Sequence, residues 1–133
     1  KNNSSIETTK AMFLFHLIHK LETGKIIKLL KRQLRDHVNS NGMHNSMNPC
    51  THAEYINHLY EIKNICLFFK INVPKVIEYQ IMNMSSVLKN MFHKDNTIAL
   101  FNGSNNFYID NNKKLPLRRK LRESIIFCDL TNY

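Results

Sequence analysis

Three glycines and three prolines are all that punctuate this chain of 133 residues. Folds built from many short strands need such residues at their tight turns. Their scarcity favours long uninterrupted helices instead. Hydrophobic residues make up 43% and charged residues 22% of the chain, close to globular averages, so neither a disordered tail nor a membrane protein is indicated. The longest apolar run, residues 11–15, falls far short of the roughly 20 residues that span a bilayer.

The apolar residues recur at helical spacing. A first helix is expected over residues 6–22, with Ser4 and Glu7 at capping-box spacing and Gly24 as its stop. Its expected buried stripe is Ala11, Leu14, Phe15, Ile18 and Leu21. A second helix is expected over residues 25–38, burying Ile26, Ile27, Leu30 and Leu34 and turning Lys25, Lys28, Lys31, Arg32 and Arg35 to the other side. That basic side reads as a solvated face, with a phosphate- or glycan-binding face as the alternative. Residues 39–49 form a polar loop with the turn pair Asn41-Gly42. Asn48-Pro49 supplies an N-cap followed by proline at the first helical position.

The third helix should run from there to about residue 70, burying Tyr55, Ile56, Leu59, Ile62, Cys66 and Phe69. Residues 72–74 break the chain and start a fourth helix that ends near residue 92, with Val76, Ile77, Ile81, Met84, Leu88 and Met91 on its apolar side. The methionines read as fillers of core gaps. Short apolar runs at residues 98–101 and 107–109 have strand character. A basic segment over residues 113–122, broken by Pro116, follows them. The fold class is therefore mainly all-α, built of antiparallel helical hairpins with short β segments near the C-terminus. A bundle, a solenoid and part of an α/α toroid remain open on this pattern, and no internal repeat decides among them.

The net charge of +9, from 19 basic and 10 acidic residues, implies an anionic partner: nucleic acid, anionic lipid or acidic glycan. Asn, Lys and Ile, which have AT-rich codons, are frequent, so part of the lysine excess follows base composition. Cys50, Cys66 and Cys128 show no CxxC spacing and read as free thiols of a reducing compartment. His16 and His19 share a helix face, but zinc needs a third ligand and none lies near in sequence. No metal and no cofactor is expected. His44 and His52 differ, because they flank a polar loop and a helix start, where side chains converge. No Walker, HExxH, GxSxG or Rossmann glycine pattern occurs, and the basic runs lack the interleaved aromatics of nucleic-acid binders. The chain begins at Lys1 rather than Met, as a processed protein or a fragment would. No signal peptide is visible at the start as given, which leaves cytoplasm and periplasm both open.

Three stretches, in order, carry a resemblance. Asn3-Ser4-Ser5-Ile6-Glu7-Thr8-Thr9-Lys10-Ala11-Met12 has Asn3, Ile6, Glu7, Lys10 and Ala11 in register with an Asn-His-Leu-Ile-Glu-Asn-x-Lys-Ala-Leu helix start. Residues 42–52 match a Gly-Gly-His-x-x-Arg-(Ser/Asn)-Pro-x-Tyr-His loop at Gly42, His44, Asn48, Pro49 and His52. Residues 93–103 match a His-x-Asp-Gly-x-x-Ala-Leu-Phe-Asn-(Gly/Asp) stretch at His93, Asp95, Ala99, Leu100, Phe101, Asn102 and Gly103. Over residues 3–104 the chain thus resembles the heparinase II/III family of polysaccharide lyases.

The resemblance implies an N-terminal α/α toroid followed by a β-sandwich domain. Residues 1–104 would be the last helices of the toroid, and residues 105–133 a basic linker toward a β domain that this chain does not contain. The implied reaction is β-elimination on a uronate-containing polysaccharide: the C5 proton is removed and the 4-O-linked sugar leaves. The implied catalytic positions are Asn3, which would polarise the uronate carboxylate, with His44 and His52. The implied substrate-binding positions are Glu7, Asn48 and His93. In the family a Tyr serves as base and acid. Its position here is Thr51, whose hydroxyl is far too weak an acid to replace a phenol. The family Arg is Met47, the second loop Gly is Met43, and the Gly after Asp95 is Asn96.

The reading is a lyase fragment, weakly active or inactive alone, whose partners are an acidic polysaccharide and, for a complete cleft, a separate chain carrying the β-sandwich. A small basic helical binding module for RNA or another anionic surface is the alternative. A fragment without function, exposing apolar helix faces that missing neighbours should cover, is a third.

Overall fold

In a computed structural model, residues 5–94, 98–99 and 101–104 are described. Four helices follow one another: α1 (Ile6–Ile18), α2 (Gly24–His37), α3 (Pro49–Phe68) and α4 (Lys75–Lys89). The protein is mainly helical, as its sequence predicts, and no helix among the described residues is long and apolar enough to cross a membrane.

Cross-helix bonds fix the topology. The Ser5 carbonyl before α1 accepts from Gln33 near the end of α2 at 3.3 Å, so α1 and α2 are antiparallel. His52, in the first turn of α3, donates to the Met84 carbonyl in the second half of α4 at 2.9 Å, so these two are antiparallel as well. Glu7 meets His58 and Lys10 meets Glu61, one turn further along both helices, so α1 and α3 run parallel. Two hairpins therefore lie side by side, joined through their first helices. The shared core is Ile56, Leu59, Ile62 and Cys66 of α3, Ile77, Met84 and Leu88 of α4, Phe13 of α1, and Ile26, Leu30 and Leu34 of α2. Each such side chain contributes about 1.5–3 kcal/mol by leaving water.

The helix ends differ from the sequence reading. Ser5, not Ser4, caps α1, accepting from the Thr8 N–H at 3.3 Å. The helix stops at Ile18 rather than near residue 22. Lys20 takes the left-handed conformation (φ 54°) that was expected of a glycine, and Gly24 opens α2 instead of closing α1. Lys70 closes α3 in the same way. The Asn48 cap is as expected: its Oδ1 accepts from the Thr51 N–H at 3.0 Å, with Pro49 at the first helical position. The fourth helix ends at Lys89, not near residue 92.

The largest correction is the face that α1 buries. Ile6, Thr9 and Phe13 are buried, with Leu17 partly so. Ala11, Leu14, Phe15, Ile18 and Leu21 are all exposed, Phe15 by 53% and Ile18 by 57%. From Ala11 to Ile18 only His16 is not apolar, so the helix lacks a contrast of faces and its period selects none. Packing on α2 and α3 makes the selection. On α2, α3 and α4 the expected stripes are the buried ones, with Ile27, Phe69, Val76 and Met91 only partly covered.

No strand forms among the described residues. One isolated antiparallel bridge, Phe92 with Ile98, is what remains of the expected run at residues 98–101. The expected run at residues 107–109, the basic segment at 113–122 and the proposed linker over 105–133 lie outside the described residues.

Candidate functional site

The loop between α2 and α3 is folded rather than extended. Val38 and His44 form an antiparallel bridge, in which Asn45 N–H donates to the His37 carbonyl at 2.7 Å and Asn39 N–H to the Met43 carbonyl at 2.9 Å. The Asn39 side chain accepts from the N–H groups of Asn41 and Met43, closing the turn from inside. Gly42 sits at φ +80°, and a Cβ there would lie 2.8 Å from the Asn83 amide. The backbone conformation favours glycine at that point, and any Cβ would displace the Asn83 side chain of α4.

His52 is fully buried beneath this loop. Its Nδ1 accepts the His44 N–H at 3.1 Å. A ring nitrogen that accepts carries no proton, so Nε2 carries it and donates to the Met84 carbonyl at 2.9 Å. Both nitrogens are therefore committed. Burial pushes the His52 pKa down, and the bond to Met84 offsets only part of that. His52, a predicted catalytic residue, is a strut that positions the loop.

His44 is the residue the loop presents. Its Nδ1 faces the Ser46 hydroxyl at 2.8 Å and the Ser46 N–H at 3.1 Å. That arrangement places the ring proton on Nε2, leaving a donor edge. Burial first, then the neighbouring His37 and His52, hold the His44 pKa below its usual value, so the ring is neutral at pH 7. The His44 ring lies 5.1 Å from that of Tyr55 and 6.0 Å from that of His37, and Tyr55 and His37 meet edge-on at 5.7 Å.

Tyr55 is the residue the motif reading missed. Its helical spacing places it only in the buried face of α3. It is 4% exposed, and its hydroxyl finds no hydrogen-bond partner among the described residues. Burial pushes its pKa well above the ordinary phenol value, with Glu7 and Asp36 adding to the effect. The phenol is thus a donor, not a base, near neutral pH. One signal was available: Tyr55 stands one turn after Thr51 and three residues after His52, on the side of α3 that faces the loop.

Of the other predicted positions, Glu7 pairs with His58 Nε2 at 3.1 Å. The Ser5 hydroxyl first, then its own backbone N–H and the His58 ring, hold it below the usual carboxylate range. Asn48 is occupied structurally: besides capping α3 it donates to the Asn102 carbonyl at 3.1 Å and accepts from the Ser104 hydroxyl at 3.3 Å. Thr51 is half-buried in the first turn of α3. His93 is exposed in the turn after α4, and no hydrogen bond or ring contact joins it to the His44 cluster among the described residues. Asn3 lies outside the described residues. His44 and His52 are thus brought together, with Glu7 near Tyr55, while His93 is not drawn in.

Among the described residues no group of three or more His, Cys, Asp or Glu side chains is placed to hold a metal ion. His16 instead bonds the Glu22 carbonyl at 2.7 Å, and His19 lies against Phe15. Cys50 and Cys66 are free thiols. Comparison with protein-family models, curated proteins and solved structures gives no match.

Proposed function

We propose that this chain is a fragment of a heparinase II/III-like polysaccharide lyase, carrying the remains of a uronate-binding cleft at His44. The observation that carries this reading is the convergence of His44, His52 and Tyr55 where the residues of the family-like loop meet the start of α3. The side-by-side antiparallel hairpins, with first helices parallel, support an origin in an α/α toroid. Under this reading the cleft binds an acidic polysaccharide, and Asn3 is the group that completes the polarisation of its carboxylate.

β-Elimination makes two demands. The uronate C5 proton becomes removable only when donors neutralise the adjacent carboxylate. A base must then take that proton, and an acid must serve the leaving oxygen. The cluster holds two donors, Nε2–H of His44 and the neutral Tyr55 hydroxyl, the second of them buried. It is poor in bases. The His44 Nδ1 is capped by Ser46, both His52 nitrogens are committed, and Thr51 cannot replace a phenol. His37 is the one imidazole of the cluster whose ring nitrogens have no hydrogen bond among the described residues. Binding with weak or absent turnover follows for the chain alone, and a partner carrying the β-sandwich is the proposed means of completing the site.

The test is incubation with uronate polysaccharides, read by the ultraviolet absorbance of unsaturated uronate and by binding of a uronate oligosaccharide. Little product and binding that falls in His44→Ala are expected. The His44 side chain hydrogen-bonds Ser46 and packs on Tyr55 and His37, while the bond that ties the loop to His52 comes from the His44 backbone and is kept in the variant. Equal binding by wild type and His44→Ala would sink the proposal.

A further inference from the structure

We infer that the outward face of α2 is a docking surface for a long acidic polysaccharide, separate from the His44 site. Lys25, Lys28, Arg32 and Arg35 lie at positions i, i+3, i+7 and i+10, which form a single file along a helix. Lys31 stands beside the file, and all five are exposed. At 1.5 Å per residue the file is about 15 Å long. At 100° per residue these side chains point directly away from Ile26, Leu30, Gln33 and Leu34, which are buried.

The fold itself has no use for this face. Five neighbour pairs on it carry like charge: Lys25 with Lys28, Lys28 with Lys31, Lys28 with Arg32, Lys31 with Arg35, and Arg32 with Arg35. Such pairs destabilise a helix. Asp36, one turn after Arg32, is the one carboxylate on this side of α2; the first turn of α2 holds none to complement its dipole, and no ion pair to any of the five forms among the described residues. A polyanion lying along the face turns that repulsion into attraction.

The face also says which polyanion. Single-stranded nucleic acid is held on aromatic stacking platforms, and residues 25–36 contain no aromatic side chain. A groove reader combines Arg and Lys at guanine edges with amides at adenine edges, and Gln33, the one amide here, is buried on the opposite side. Charge alone remains, which suits sulfate and carboxylate groups repeated along a sugar chain. The choice of a glycan rests on the lyase reading above. The location does not, because the α2 face and the His44 cluster lie on opposite sides of that helix.

Binding of a labelled heparin-like oligosaccharide across a salt series tests the inference. The triple variant Lys28→Gln/Arg32→Gln/Arg35→Gln is compared with a charge-matched triple elsewhere, Lys63→Gln/Lys70→Gln/Lys75→Gln. Five of the six are exposed, Lys63 is partly covered, and none belongs to the core. The α2 triple should weaken binding by about tenfold or more at low salt and flatten the salt dependence, as expected when phosphate-like contacts are removed. The control triple should do much less. Equal loss in both triples, no binding at all, or tighter binding of a charge-matched single-stranded RNA that shows the same α2 dependence would each overturn it. A uronate disaccharide, too short to reach from His44 round to the far side of α2, reports on the cleft reading independently.

Discussion

The backbone N–H of His44 donates to Nδ1 of His52 at 3.1 Å, and through this bond the buried imidazole fixes the loop on the first turn of α3. Its other nitrogen holds α4 through the Met84 carbonyl. His52→Ala should therefore remove two hydrogen bonds, leave the His44 N–H without its acceptor and open a cavity. A loss of about 2–4 kcal/mol in urea unfolding is expected, against a smaller loss of about 1 kcal/mol for His44→Ala, whose half-buried side chain bonds Ser46 and packs on Tyr55 and His37. Equal losses would contradict the division of roles between the two histidines.

The same geometry sets a pH dependence. Burial lowers the folded-state pKa of both His44 and His52 below the unfolded value near 6.5. Below that value the unfolded chain binds protons that the folded chain refuses, so stability falls as pH drops. Protonating Nδ1 of His52 would also set a donor against the His44 N–H. Thermal unfolding is expected to be level above pH 7 and to fall in midpoint from about pH 6.5 downward. A flat profile from pH 7.5 to 5.5 would exclude buried neutral imidazoles. Variants at His52 should lose that residue's share of the slope.

Tyr55 predicts opposite effects on stability and binding. Its hydroxyl is buried without a partner among the described residues. Tyr55→Phe removes an unmet polar group while keeping the ring, so stability should hold or rise by up to about 1 kcal/mol. Binding of a uronate oligosaccharide should weaken in the same variant. A clear loss of stability would mean that the hydroxyl is satisfied, and unchanged binding would remove the phenol from the site.

Gly42 is constrained twice, by a φ of +80° and by Asn83 at 2.8 Å from the place of a Cβ. Gly42→Ala should cost about 1–3 kcal/mol. Adding Asn83→Ala should recover the contact part and leave the backbone part. If the second change recovers nothing, the approach of α4 is not what limits this position.

Much of this was legible in the chain. The scarcity of breakers announced helices, the contrast between Leu30 or Leu34 and the lysines of α2 marked its buried face, and Asn48-Pro49 marked the start of α3. Where contrast was missing, the reading failed: α1 is apolar on nearly every side, and only contact with α2 and α3 selects Thr9 and Phe13 over Phe15 and Ile18. Lys20 and Lys70 show why stops were misplaced, since a left-handed lysine leaves no signature of the kind a glycine does. In the candidate site, spacing drew attention to His44 and His52, yet it could not separate a presented imidazole from a buried strut. Tyr55 was hidden because a tyrosine in an apolar stripe looks like core until its hydroxyl is seen to lack a partner.

The most direct test of the cleft reading is a backbone amide NMR titration of the labelled chain with a short uronate oligosaccharide. The account predicts shifts centred on His44, Ser46, Thr51 and Tyr55, absent in His44→Ala. No shifts, or shifts confined to the lysines and arginines of α2, would contradict a uronate site at His44 and leave a basic binding surface in its place.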